Sequence, residues 1–140
     1  MPAETYTIQS KYKNVNIAAD SIKQFCQRNN IAEPACNDIL ICVIEALNNV
    51  ITHSYQREED KNIDIILTVE DSWFIIDITD EGIARTNFEK PKLEFDPEDI
   101  QNLPEGGMGL YIIENLMDST SYKSAGGKNT FTMKKNLNHK

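Results

Sequence analysis

Two alternating hydrophobic runs, Ile63 to Val69 and Trp73 to Thr79, are separated only by Glu70-Asp71-Ser72. Period-two alternation marks strands, and so short a connection joins antiparallel neighbours as a hairpin. The chain must therefore contain an antiparallel sheet with an apolar face that other elements cover. Two stretches suit that task. Asn16 to Arg28 places Ile17, Ile22, Phe25 and Cys26 at helical spacing. A second helix opens near Glu33-Pro34, where a first-turn Pro is tolerated because its missing N–H would be unpaired anyway. It runs to about His53 on Ile39, Leu40, Val43, Leu47, Val50 and Ile51.

Thr5 to Ser10 also alternates, and Gln56 to Lys61 reads as a charged loop. From Asp80 to Gly107 the periodicity is lost and Pro91, Pro97 and Pro104 interrupt the chain. Such a long irregular stretch inside a compact domain suits a lid or binding segment. A helix from Met108 to Met117 follows, then strands Ser119 to Lys123 and Thr130 to Lys135 around the turn Gly126 to Asn129. The order β-α-α-β-β-lid-α-β-β predicts an α+β two-layer sandwich, with a mixed, mostly antiparallel sheet and helices on one face. One domain spanning 1–140 is expected.

Acidic residues number 22 against 14 basic ones, a formal net charge of −8. Affinity for a nucleic-acid polyanion comes mainly from Lys and Arg, so that partner is not expected. The charge is uneven: residues 119–140 hold five Lys and no acid, either a docking surface or solvated Lys on a last strand and tail. Cys26, Cys36 and Cys42 are odd in number and form no C-x-x-C pair, which suggests small core residues in a reducing compartment. The N-terminal residues lack the pattern of a signal peptide, and the longest purely apolar run, Ile39 to Ile44, is six residues. A soluble, cytoplasmic protein with no membrane partner is expected.

Three places carry chemistry. Glu45, Asn49 and His53 recur every four residues, so they share one stripe of the second helix. Spacing alone equally describes the wet face of an amphipathic helix. Yet Asn is a poor helix former, and Asn48 and Asn49 stand together mid-helix. A carboxylate and an amide one turn apart also suit a hydrated Mg²⁺ shared with phosphate oxygens. The second place is Asp80-Glu81-Gly82, where a carboxylate at a strand end can accept a ligand's amino N–H; alone, it is an ordinary turn. The third is Gly106-Gly107-Met108-Gly109-Leu110, at the start of a helix, where backbone N–H groups and the helix dipole suit an anion. A flexible joint reads equally well there.

The order of these motifs resembles the GHKL (Bergerat-fold) ATP-binding superfamily, which includes gyrase, MutL and histidine-kinase ATPase domains. Within it, the string Ile44 to Tyr55 looks most like the bacterial anti-sigma-factor serine/threonine kinases. The resemblance implies ATP and Mg²⁺, with Glu45 as the general base that activates an acceptor serine and Asn49 as the Mg²⁺ ligand. It implies Asp80 as the reader of the adenine amino group and Gly82 as its neighbouring glycine. Gly107, Gly109 and Leu110 would hinge a lid over about 81–106, and Thr130 would support Asp80 and the adenine through a water. His53 is expected to be a neutral packed side chain without chemistry. The partners implied are a sigma factor, an anti-sigma-factor antagonist that is phosphorylated, and a second copy in a homodimer. Ala84 stands where the family's pattern usually has a second glycine. That departure keeps a second reading open, a nucleotide-binding switch that sequesters a partner without transferring phosphate.

Overall fold

The computed structural model describes residues 3–84 and 107–138. Of the expected lid, everything beyond Ala84 and before Gly107 lies outside the described residues. Five strands form one sheet in the order β1-β2-β3-β5-β4, with β1 Ala3–Gln9, β2 Asn62–Glu70, β3 Trp73–Asp80, β4 Ser119–Ala125 and β5 Lys128–Asn136. All four pairings are antiparallel, so the sheet is not mixed among the described residues. The helices are α1 Tyr12–Arg28, α2 Glu33–Asn49 and α3 Gly107–Leu116, giving the expected α+β sandwich.

The hairpins are tighter than the sequence suggests. Glu70 pairs with Trp73 and Ala125 with Lys128, leaving two-residue turns at Asp71-Ser72 and Gly126-Gly127. All four of these residues have positive φ, as the primed turn matched to strand twist requires. Gly meets that demand without cost at the second turn. It also lets β5 begin two residues earlier than expected.

The sheet buries Ile63, Ile65, Leu67, Phe74, Ile76, Ile78, Phe131 and Met133 on one face. Against them α1 lays Val15, Ala18, Ile22, Phe25 and Cys26, and α2 lays Cys36, Ile39, Cys42, Val43, Ala46 and Leu47. Full burial of one such large apolar side chain contributes roughly 1.5–3 kcal/mol. Phe25 and Phe74 meet edge to face, ring centroids 6.1 Å apart. All three cysteines are buried and free; burial pushes the thiols of Cys26 and Cys42 up to about 12. Such thiols pack rather than react.

The second helix does not end as a regular α-helix. Val50–Ser54 forms a π-helical turn continuous with α2, and the Tyr55 N–H donates to the Val50 carbonyl at 2.9 Å. An i→i+5 turn moves the phase by one residue. Ser54, not His53, is therefore carried inward: Ser54 is buried, whereas His53 is exposed instead of packed. The continuous helix Glu33–Ser54 has 22 residues and a mean hydropathy of 1.4 in its most apolar window, enough by length and composition to cross a membrane. Its apolar stripe is used inside this fold, against α1, α3 and the sheet.

One lysine of the basic C-terminal segment is structural. The Lys135 ammonium donates to the Leu116 carbonyl at 2.8 Å, at the end of α3, and lies 3.3 Å from Asp38 of α2. A cation there complements the exposed carbonyls and dipole of the helix terminus. Lys123, Lys128 and Lys134 are exposed. Replacing Lys135 with Met should keep the packed stem but lose the cap and the ion pair. The expected cost is about 1 kcal/mol, read as a lower urea midpoint with an unchanged m-value.

Candidate active site

The site assembles where α2, its π turn, the end of β3 and the start of α3 converge. Glu45 and Asn49 sit one turn apart on α2, both partly buried. Gly109, in the first turn of α3, faces them. A Cβ placed on Gly109 would lie 3.0 Å from the Glu45 Oε2 and 3.3 Å from the Asn49 Nδ2. Any other residue would intrude on the carboxylate and amide, which explains a glycine where helix propensity disfavours it. Leu110, next along, is buried and anchors the turn. Gly107 is the first residue of α3. Two of the three sequence motifs are thus brought into contact.

The Asn49 Nδ2 is buried and has no hydrogen-bond partner among the described residues. A buried donor left unmet costs about 1–3 kcal/mol, so an orphan beside a glycine-lined helix start suits a ligand oxygen. No group of three or more His, Cys, Asp or Glu among the described residues could hold a metal ion. A Mg²⁺ ion fits this donor set only if phosphate oxygens and waters complete its shell around Asn49, as that ion commonly requires.

The third motif lies at the end of β3. Asp80 is the last strand residue and only 3% exposed. Its Oδ1 accepts from the Asn129 Nδ2 at 2.8 Å and from the Gly82 N–H at 2.9 Å. Burial pushes the carboxyl above its usual range, while hydrogen bonds from Asn129, Gly82 and Ser54 pull it back. Gly82 has no room for a side chain: a Cβ would lie 2.2 Å from the Ser54 carbonyl oxygen. That carbonyl accepts the Ile83 N–H at 2.8 Å, joining the π turn to the residues after β3. The buried Tyr55 adds a second link. Its hydroxyl donates to the Asn62 carbonyl at 2.5 Å and accepts the Glu81 N–H at 2.8 Å.

Thr130 is not beside Asp80. In the β3–β5 register Asp80 pairs with Asn129, and Thr130 pairs with Thr79, their hydroxyls 3.1 Å apart. Successive strand residues face opposite sides. Asn129 therefore shares the helix-covered face with Phe131 and Met133, and Thr130 takes the other face. Asn129, Ser54 and Tyr55 were not singled out from sequence. The core alternation of Phe131 and Met133 points to Asn129, whereas the π turn that delivers Ser54 has no local signature.

A cleft of about 590 Å³ opens beside this turn, lined by Ser54, Tyr55, Asp64, Thr79, Gly82 and Ile83 among others. Glu45, Asn49 and Asp80 do not line it. It lies on the β2 side of Tyr55, and no residue of α3 lines it.

Two consequences can be measured. Gly82→Ala should break the Ser54–Ile83 link and destabilise the protein by roughly 1–3 kcal/mol, a typical cost of overpacking, seen as a lower melting temperature. Asp80→Asn should have the opposite sign. Because burial raises the folded-state pKa of Asp80 above its unfolded value, the folded state holds the extra proton between the two. Stability therefore falls as pH rises through that window. The Asn variant should melt above the wild type at pH 8, and the gap should narrow as the pH falls into the carboxylate range.

Residues 8–135 match the family model described as the histidine kinase-like ATPase domain. The chain is 29% identical over 118 residues to the serine-protein kinase RsbW of Listeria monocytogenes, covering 81% of this chain and 74% of that protein. It is 31% identical over 116 residues to the anti-sigma F factor of Bacillus licheniformis, covering 81% and 77% respectively. Among solved structures, the RsbU and RsbW domains of a Mycobacterium tuberculosis protein share the fold with TM-score 0.70 at 14% identity, over 98% of this chain and 33% of that longer chain. The SiaB–SiaC complex from Pseudomonas aeruginosa aligns with TM-score 0.58 at 11% identity, over 93% and 88%. With its glycine-fronted Glu45–Asn49 stripe and its buried Asp80, this chain belongs to the histidine kinase-like ATPase domain family.

Proposed function

We propose that this chain is a Mg-ATP-dependent serine/threonine protein kinase and anti-sigma factor, which phosphorylates an anti-sigma-factor antagonist and binds a sigma factor in a partner-switching system. The observation that carries this reading is the close approach of Gly109, at the start of α3, to Glu45 and to the buried, unpartnered Asn49 amide. The names of its relatives, a serine-protein kinase and an anti-sigma F factor, support it. The same reading places the protein in the cytoplasm as a homodimer.

The roles follow from the chemistry of each group. The Asp80 carboxylate accepts a hydrogen bond from the adenine amino group. Asn49 would hold a Mg²⁺ ion shared with phosphate oxygens, which would supply screening of their charge. Gly107, Gly109 and Leu110 bring backbone N–H groups of α3 towards the phosphates. The acceptor serine oxygen forms a bond to the γ-phosphorus as the bond to ADP breaks, and its proton goes to Glu45. Catalysis of this kind is mainly positioning and charge stabilisation, with proton abstraction contributing about 10²–10⁴-fold.

Glu45→Ala should leave the ATP dissociation constant nearly unchanged while slowing transfer to the antagonist at least about 100-fold. Asp80→Asn should instead weaken ATP binding itself by about tenfold or more. Calorimetry and a radiolabel assay with the antagonist separate the two. Undiminished transfer by Glu45→Ala would sink the assignment of the base. Ala84, exposed at the end of the described segment, favours the second reading, a nucleotide-binding switch. Tight ATP binding with no label on the antagonist would establish that reading instead.

A further inference from the structure

Three neighbouring strands present one continuous row of polar side chains. Asp80 on β3 pairs with Asn129 on β5, and Asn129 pairs with Ser124 on β4. The Ser124 hydroxyl donates to the Asn129 Oδ1 at 2.7 Å. The Asn129 Nδ2 donates to the Asp80 Oδ1 at 2.8 Å and to the Gly82 carbonyl at 3.0 Å. These partners fix which end of the amide is which: a carboxylate and a carbonyl face the nitrogen, and a hydroxyl faces the oxygen. Both N–H bonds of Asn129 are thus engaged, and its oxygen already accepts one. Asn129 is 2% exposed, so the amide is held by these contacts and not by solvent.

We propose that Ser124 and Asn129 form a positioning relay that orients the Asp80 carboxylate, making Asn129 the residue that sets base selectivity without touching the base. The inference rests on the reading of Asp80 as the acceptor for a purine amino group. Asn129 and the Gly82 N–H both load Oδ1 of Asp80, and with Ser54 they hold the carboxylate in place. The Thr130 hydroxyl lies on the other face with Thr79 and does not serve here. Selectivity for an amino-bearing purine then depends on how firmly one carboxylate is held. That firmness passes through an amide to a hydroxyl on the edge strand.

The test is calorimetry on the full chain with two probes, ATP and purine riboside 5′-triphosphate, which lacks only the amino group. The wild type should prefer ATP by about tenfold or more, the scale of one hydrogen bond to a charged group. Asn129→Ala should weaken ATP binding about tenfold while leaving the amino-free probe within about twofold, so the preference collapses. Ser124→Ala, at an exposed position on β4, should reduce the preference by about threefold. It decides the matter if Asn129→Ala fails to fold. A structural role alone would weaken both probes equally, and equal losses in the two variants would overturn the relay. A wild type without preference would overturn the reading of Asp80 itself, and the relay with it.

Discussion

A carboxylate in a protein interior is expensive unless donors surround it, and one end of this molecule is organised around meeting that demand. Asp80 closes the central strand of the sheet at 3% exposure. Its donors come from three directions: Asn129 from the neighbouring strand, Gly82 from the turn that follows, and Ser54 from the helix layer. Each makes a demand of its own. Asn129 must lie in register with Asp80, Gly82 must have no side chain, and the helix must deliver residue 54 inward. The carboxylate thereby ties sheet, turn and helix together at one point, and burial leaves it poised to gain from one more donor.

The other half of the site depends on the same helix. Glu45 and Asn49 lie on the regular part of α2, and the π turn begins at the next residue, Val50. Regular pitch keeps the Glu45–Asn49 stripe aimed at α3, and the change of pitch re-aims the end of the helix at Asp80 and Gly82. One helix thus serves two neighbouring tasks that a uniform pitch would not satisfy together. Gly109 then sets how closely α3 approaches that stripe, because a side chain there would press on the carboxylate and amide.

Most of the fold was legible because it rests on periodicity. The hairpin of Ile63 to Thr79 forces an antiparallel sheet, and the apolar spacings of α1 and α2 supply its cover. Where the reading slipped, the cause was a one-residue shift of phase. The π turn brings Ser54 inward where His53 was expected to pack, and the β3–β5 register sets Asn129, not Thr130, opposite Asp80. Such shifts are set by pairing across the sheet and by hydrogen bonding around the helix, both non-local. Asn49 and Gly109 drew notice because Asn and Gly are poor helix formers, whereas Glu45 and Gly82 stood out only through the order of the motifs. Tyr55 was not, since nothing nearby announces that its hydroxyl bridges Asn62 and Glu81.

The central strand also separates optical probe from chemistry. Trp73, the only tryptophan, opens β3, and Asp80 closes it seven residues along. At the rise of an antiparallel strand the two ends are about 23 Å apart. The indole therefore reports on the packing of the hairpin end, far from Asp80. Spectroscopic detection of nucleotide needs an intrinsic chromophore nearer Asp80, and Tyr55 already stands there.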